Sequence, residues 1–275
     1  MYALRDVTGT VESIPLICGS ILSKKIAEGI GALVLDVKVG RGAFMKTEAE
    51  ARQLATWLAD IAERSGVRTE AMLTAMESPL GRAVGNANEV IESIETLKGR
   101  GPADVEELSV RLAARMLVLS GRAPTDEAAE DQVRRALSSG AGLEKFRAII
   151  EAQGGDPRVV DDYGRLPAPA HREEWRAPRA GVVARIDAEL IGRAAVALGA
   201  GRDRVDAGVD PSAGIDVVAP IGARVRAGEP VVVMACGDRT RLGAAQALVA
   251  EAVDIGDEAP ATRPLVLGVV KGSTP

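Results

Sequence analysis

Ala32-Leu33-Val34-Leu35-Asp36-Val37-Lys38-Val39-Gly40-Arg41-Gly42 is the stretch on which the fold turns. Its first eight residues form an apolar run of strand length, interrupted by Asp36 and Lys38, and Gly40-Arg41-Gly42 punctuates its end. Residues 47–63 then carry apolar side chains at helical spacing, so the order reads strand, Gly-rich loop, helix. Upstream, residues 15–29 place Leu16, Ile17, Ile21 and Leu22 near one stripe, with Ser13 and Pro15 as start signals and Gly29-Ile30-Gly31 as the stop. That is a helix. Downstream, residues 67–76 read as a second strand, and residues 86–97, 105–119, 126–137 and 143–152 as helices. An α/β layer with a parallel component is the expected class.

From residue 156 to 178 the composition turns to Pro, Asp, Arg and Glu, which reads as a connection or hinge. Beyond it, residues 180–186, 215–220 and 222–233 are short β runs broken by Gly and Pro, similar to half of a lipoyl-type hammerhead. No lysine sits at a carrier-type turn there, so a swinging-arm carrier is a poor reading. Helices at 189–198 and 240–253 make this last part α+β. The expected segments are 1–29, 30–165 and 172–275, the last a hammerhead-like α+β domain.

Composition removes whole classes of function. With two Trp, two Tyr and two Phe there is no set of stacking platforms for single-stranded nucleic acid, and a net charge of -5 disfavours a polyanionic partner. Nucleic acid is not an expected partner. The longest apolar runs, such as 231–236 and 264–270, are strand-sized, so no membrane span is expected. Cys18 and Cys236 lack the spacing of a zinc or dithiol motif and fit reduced packing positions, which points to the cytoplasm. Met1 runs directly into Tyr2-Ala3-Leu4-Arg5-Asp6, which reads like the middle of a domain, so the chain is expected to begin inside a larger protein.

Chemistry concentrates in residues 2–25. Ser20 and Lys24 are four apart, which on a helix sets a hydroxyl and an ammonium one turn apart on one face, able to reach one planar ligand. Arg5, ahead of the helix, offers a forked donor. The same spacing also suits a solvated amphipathic helix whose Lys24 and Lys25 favour the C-terminal end of the dipole. His171, the only histidine, lies in the hinge-like stretch and reads as a surface residue. The Gly40-Arg41-Gly42 loop reads as a tight turn before it reads as a phosphate cradle.

Tyr2-Ala3-Leu4-Arg5-Asp6-Val7-Thr8, Ser13-Ile14-Pro15-Leu16 and Ser20-Ile21-Leu22-Ser23-Lys24-Lys25 resemble the thymidine phosphorylase and pyrimidine nucleoside phosphorylase family. The resemblance extends through residues 32–45 and 79–90, then Leu198-Gly199-Ala200-Gly201-Arg202 and residues 222–230, and so covers nearly the whole chain. It implies reversible phosphorolysis of pyrimidine nucleosides, chiefly thymidine, with inorganic phosphate as cosubstrate and no organic cofactor. By position, Arg5, Ser20 and Lys24 match the pyrimidine-contacting residues, and Phe44 and Met45 the apolar wall beside the base. Cationic donors there favour the base anion that develops as the glycosidic bond breaks.

The resemblance carries further expectations. Leu80 and Ala83 through their carbonyls, and Glu92 through its carboxylate, match positions that hold a potassium or calcium ion in some members; Glu92 also reads simply as a polar face residue of its helix. The family works as a homodimer through a small helical domain, of which residues 1–29 are the part present. Its Lys-His-Ser-Thr-Gly-Gly phosphate segment has no counterpart in these residues, so they are expected to show little phosphorolysis alone. A relative of the anthranilate phosphoribosyltransferase kind shares the fold but lacks the Arg5, Ser20, Lys24 set. A rival of another class is a non-catalytic fragment serving as a binding or dimerisation module.

Overall fold

The computed structural model describes residues 13–202, 207–261 and 263–273. Along them run α1 (Ile14–Ala27), β1 (Ala32–Val39), α2 (Glu48–Arg64), β2 (Arg68–Ala75), β3 (Ala83–Gly85), α3 (Ala87–Leu97), α4 (Ala103–Leu119), α5 (Asp126–Ser138) and α6 (Ala141–Ala152). There follow β4 (His171–Arg176), β5 (Gly181–Ile186), α7 (Ala188–Leu198), β6 (Gly214–Val217), β7 (Arg224–Val225), β8 (Pro230–Cys236), α8 (Leu242–Ala252), β9 (Val253–Gly256) and β10 (Val266–Lys271). The chain is mixed α/β, as its periodicities require. Its described residues divide into two compact units that are discontinuous in sequence: those within 1–76, 107–134 and 263–275 form one, and those within 77–106 and 135–262 the other. The sequence suggested consecutive segments instead.

In the first unit β1 and β2 pair in parallel from Ala32↔Arg68 to Val39↔Ala75, and β10 adds to the far side of β2 antiparallel. α2 covers this sheet. Its start is fixed by a capping box: the Thr47 hydroxyl accepts from the Glu50 amide at 3.3 Å, and Glu50 Oε2 accepts from the Thr47 amide at 3.0 Å. Ala51, Ala55, Ala59 and Ala62 line its buried face, and with so little side-chain bulk the helix settles close to the strands. Leu54, Leu58 and Leu73 fill the gaps, and Cys18 and Leu22 of α1 join the same core.

The second unit holds two antiparallel sheets, ordered β3-β6-β8-β4 and β7-β5-β9. α7 and α8 close their core, in which Ile191, Leu198, Ile215, Val231 and Met234 are fully buried. Asp187, itself buried, starts α7 by accepting from the Glu189 and Leu190 amides at 3.0 and 3.2 Å. Gly199 ends that helix at φ 106°, a left-handed conformation that a side chain would strain. The Gly- and Pro-punctuated runs are thus short antiparallel strands.

The hinge expected over 156–178 needs correction. Residues 157–160 and 163–165 are 3₁₀ turns, and His171–Arg176 is a strand pairing antiparallel with β8. Its composition misleads because β4 is an edge strand, with charged Arg172, Glu174 and Arg176 turned outward in strict alternation. His171 lies opposite Cys236 in that pairing, half-buried, not in a loop.

Candidate active site

The candidate site gathers at the C-terminal ends of the parallel strands, where open α/β sheets place ligands. After β1, the loop of residues 40–46 folds on itself: the Gly40 amide donates to the Met45 carbonyl at 3.1 Å and the Ala43 amide to the Gly40 carbonyl at 3.0 Å. The Gly42 amide reaches the Met76 carbonyl at 2.9 Å, and Lys46 Nζ caps the Arg41 carbonyl at 2.8 Å. Gly40 sits at φ 124°, which only glycine adopts readily. With those amides spent internally, Gly40-Arg41-Gly42 is a tight turn that does not offer them to a phosphate, and past Ala43 it aims two larger side chains.

Those side chains are Phe44 and Met45. Together with Ser20 of α1 and Asp36 and Lys38 of β1 they line a cavity of about 540 Å³ whose remaining wall includes Ile17, Ile21, Leu35 and Leu54. Met45 is buried, while Phe44 is 57% exposed and forms the rim. The volume suits a flat ring of nucleobase size with a sugar attached. Of the residues expected at the base, the structure therefore brings Ser20, Phe44 and Met45 together. Lys24 stands one turn beyond Ser20 on α1, exposed, and does not line this cavity. Arg5 lies outside the described residues.

Asp36 and Lys38 were not among the residues expected to bind. They alternate onto one face of β1, and the charges that interrupt its apolar run were the available signal. The Thr74 hydroxyl, fully buried on β2, donates to Asp36 Oδ1, and Lys38 Nζ lies 2.7 Å from Asp36 Oδ2. Although that close, Lys38 Nζ is buried and makes no aligned hydrogen bond.

In the second unit, Glu92 of α3 turns back to the loop before β3: its Oε1 accepts from the Arg82 and Ala83 amides at 2.8 and 3.0 Å. Burial pushes its carboxyl above the usual range, opposed by those two amides and reinforced by the nearby Asp104 and Glu89. Gly81 at φ 71° brings the backbone so close that a Cβ there would clash with the Glu92 carboxylate. Glu92 thus reaches from α3 to hold the amides of Arg82 and Ala83, and a partly buried carboxylate with Asp104 and Glu89 nearby fits a hard cation. Among the described residues no cluster of three or more His, Cys, Asp or Glu side chains could hold a metal, so any ion here depends on carbonyl ligands.

Residues 1–143 match the glycosyl transferase family a/b domain, and residues 182–256 match the pyrimidine nucleoside phosphorylase C-terminal domain. The chain is 46% identical over 267 residues to thymidine phosphorylase of Mycobacterium tuberculosis, an alignment covering 97% of this chain and 60% of that protein. The chain belongs to the thymidine and pyrimidine-nucleoside phosphorylase family. Pyrimidine-nucleoside phosphorylase of Bacillus subtilis is 48% identical over 234 residues, covering 85% of this chain and 54% of its own length. That of Staphylococcus haemolyticus is 47% identical over 232 residues, covering 84% and 54%. The chain thus spans a little over half the length of the phosphorylase relatives it matches. The mixed α/β architecture agrees with the family's, and no helix of the described residues is long and apolar enough to cross a membrane.

Proposed function

We propose that these residues form the base-binding part of a pyrimidine nucleoside phosphorylase, acting on thymidine, deoxyuridine or uridine with inorganic phosphate. The observation that carries the reading is the cavity itself, where a helix hydroxyl, an aromatic rim and a buried thioether converge at the ends of parallel strands. In the reaction a phosphate oxygen attacks the anomeric carbon, the carbon–nitrogen bond breaks, and its electron pair passes to the pyrimidine ring. Arg5 supplies a cationic donor to that ring anion, Lys24 reaches towards it along its long side chain from one turn beyond the cavity, and Ser20 orients its edge. Substitution at carbon moves no electrons to a carrier, so no organic cofactor takes part.

A potassium or calcium ion belongs in the same reading, held by the Leu80 and Ala83 carbonyls and the Glu92 carboxylate with further oxygen ligands to reach the six to eight such ions take. Its role is to brace that turn. The assembly is a homodimer, which light scattering tests directly, and the setting is cytoplasmic nucleoside salvage. The decisive assay incubates the protein with thymidine or uridine with and without phosphate. Base release that requires phosphate and is matched by pentose 1-phosphate supports the proposal. Release without phosphate is hydrolysis and contradicts it, and base binding that stays without turnover when the phosphate-binding segment of a full-length relative is added is the behaviour of a binding module.

A further inference from the structure

We propose that Lys38 is a further base-recognition residue, donating from its ammonium to the carbonyl edge of a pyrimidine ring and favouring the ring anion over the neutral base. The inference rests on the reading above that this cavity takes a pyrimidine. Lys38 is the penultimate residue of β1, at the strand end where the sheet presents its ligand, and it lines the same cavity as Ser20, Phe44 and Met45.

Its surroundings give it an ion pair with Asp36 but, among the described residues, no aligned hydrogen bond. An ammonium carries three N–H groups, yet Lys38 Nζ is buried with no aligned acceptor, although Asp36 Oδ2 stands 2.7 Å away. Burying an ammonium is costly unless hydrogen bonds satisfy it, so a buried charge in this condition marks a place for another acceptor. Asp36 cannot turn to improve the geometry, because its other oxygen holds the hydroxyl of fully buried Thr74. The lysine can, since its four-carbon stem rotates freely compared with the fixed carboxylate.

The neighbours choose the ligand. The carboxylate of Asp36 repels a phosphate dianion, and the wall of Ile17, Ile21 and Leu35 gives a dianion nothing to bind. A planar ring with carbonyl oxygens and one delocalised charge satisfies both the apolar wall and the ammonium. When the glycosidic bond breaks, the electron pair enters that ring, and Lys38 meets the resulting charge without any proton transfer.

The test uses the full chain and two rings, thymine, neutral at pH 7, and 5-nitrouracil, ionised at that pH. Titration calorimetry compares the wild type with Lys38→Met and Lys38→Arg, while the side-chain ¹⁵N resonance of Lys38 is followed in the wild type. Losing one charge-assisted hydrogen bond predicts a drop in affinity of about tenfold or more for 5-nitrouracil in Lys38→Met. The loss for thymine is smaller, Lys38→Arg keeps part of the affinity, and the Lys38 resonance shifts on ligand addition. Equal affinities in wild type and Lys38→Met, or an unmoved resonance at saturation, overturn the role of Lys38 and leave the cavity reading intact. Absence of binding of either ring to the wild type overturns both. Should Lys38→Met fail to fold, the wild-type resonance decides.

Discussion

Single side chains in the cavity differ in what they can contribute, and the difference is measurable. Ser20 offers a neutral hydroxyl, so Ser20→Ala weakens thymine binding by about 0.5–1.5 kcal/mol, read by calorimetry. Lys24, one turn beyond the cavity, and Arg5 are proposed to bring charge to a ring that becomes anionic only as the bond breaks. In an enzyme containing them, Lys24→Ala or Arg5→Ala therefore lowers kcat by about 10²–10³ while KM changes little. A raised KM with unchanged kcat refutes the transition-state role. At this scale the sequence was informative where chemistry is local. Ser20 was legible from its place on the helix and Phe44 and Met45 from the loop that carries them, whereas Lys24, paired with Ser20 by spacing, does not line the cavity. Lys38 escaped because its meaning depends on Thr74, thirty-six residues away on a neighbouring strand, which fixes Asp36.

Elements are held by a few polar devices whose loss has predictable size. Removing the capping box of α2 with Thr47→Ala costs about 1 kcal/mol in denaturant unfolding, because the first-turn amide loses its acceptor. Glu70 of β2 is almost wholly buried and takes a two-pronged pair from Arg115 of α4, at 2.8 and 2.7 Å. Arg115→Met leaves that carboxylate only the exposed Lys271 ammonium, 3.5 Å away, and costs about 3 kcal/mol, whereas replacing Arg115 and Glu70 together by apolar residues costs far less. Acid acts elsewhere. Hydrogen bonds from Arg100, then from Tyr163, pull Glu95 down to about 2 from 4.5. A carboxyl whose folded value is depressed stabilises the fold fully above its unfolded value and ceases to do so as pH falls through its folded one. Thermal midpoints should therefore decline from about pH 4.5 towards 2, and Glu95→Gln should flatten that decline; an unchanged slope contradicts the assignment. Strand β1 and helix α2 were legible because one face of each is apolar at its own period. Strand β4 was not, since its outward residues are charged, and three-residue β3 is too short to show a period.

Across the whole molecule the chain returns on itself in a way no local pattern announces. Residues 264–270 read as an apolar run of strand length, but only the structure shows that β10 completes the first unit's sheet by pairing antiparallel with β2. Removing residues from 264 onward should expose the edge of β2, and hydrogen exchange at Ala71, Met72 and Leu73 should accelerate while the strands of the second unit keep their protection. Uniform acceleration in both units contradicts a separate first core. The cavity of Ser20, Phe44 and Met45 is the proposed seat of the pyrimidine base. Soaking crystals of the protein with 5-iodouracil and locating the iodine by its anomalous signal tests this most directly. One strong peak is expected inside that cavity, with the ring between Phe44 and Ser20. A fully occupied ring bound elsewhere, with none in the cavity, would contradict it.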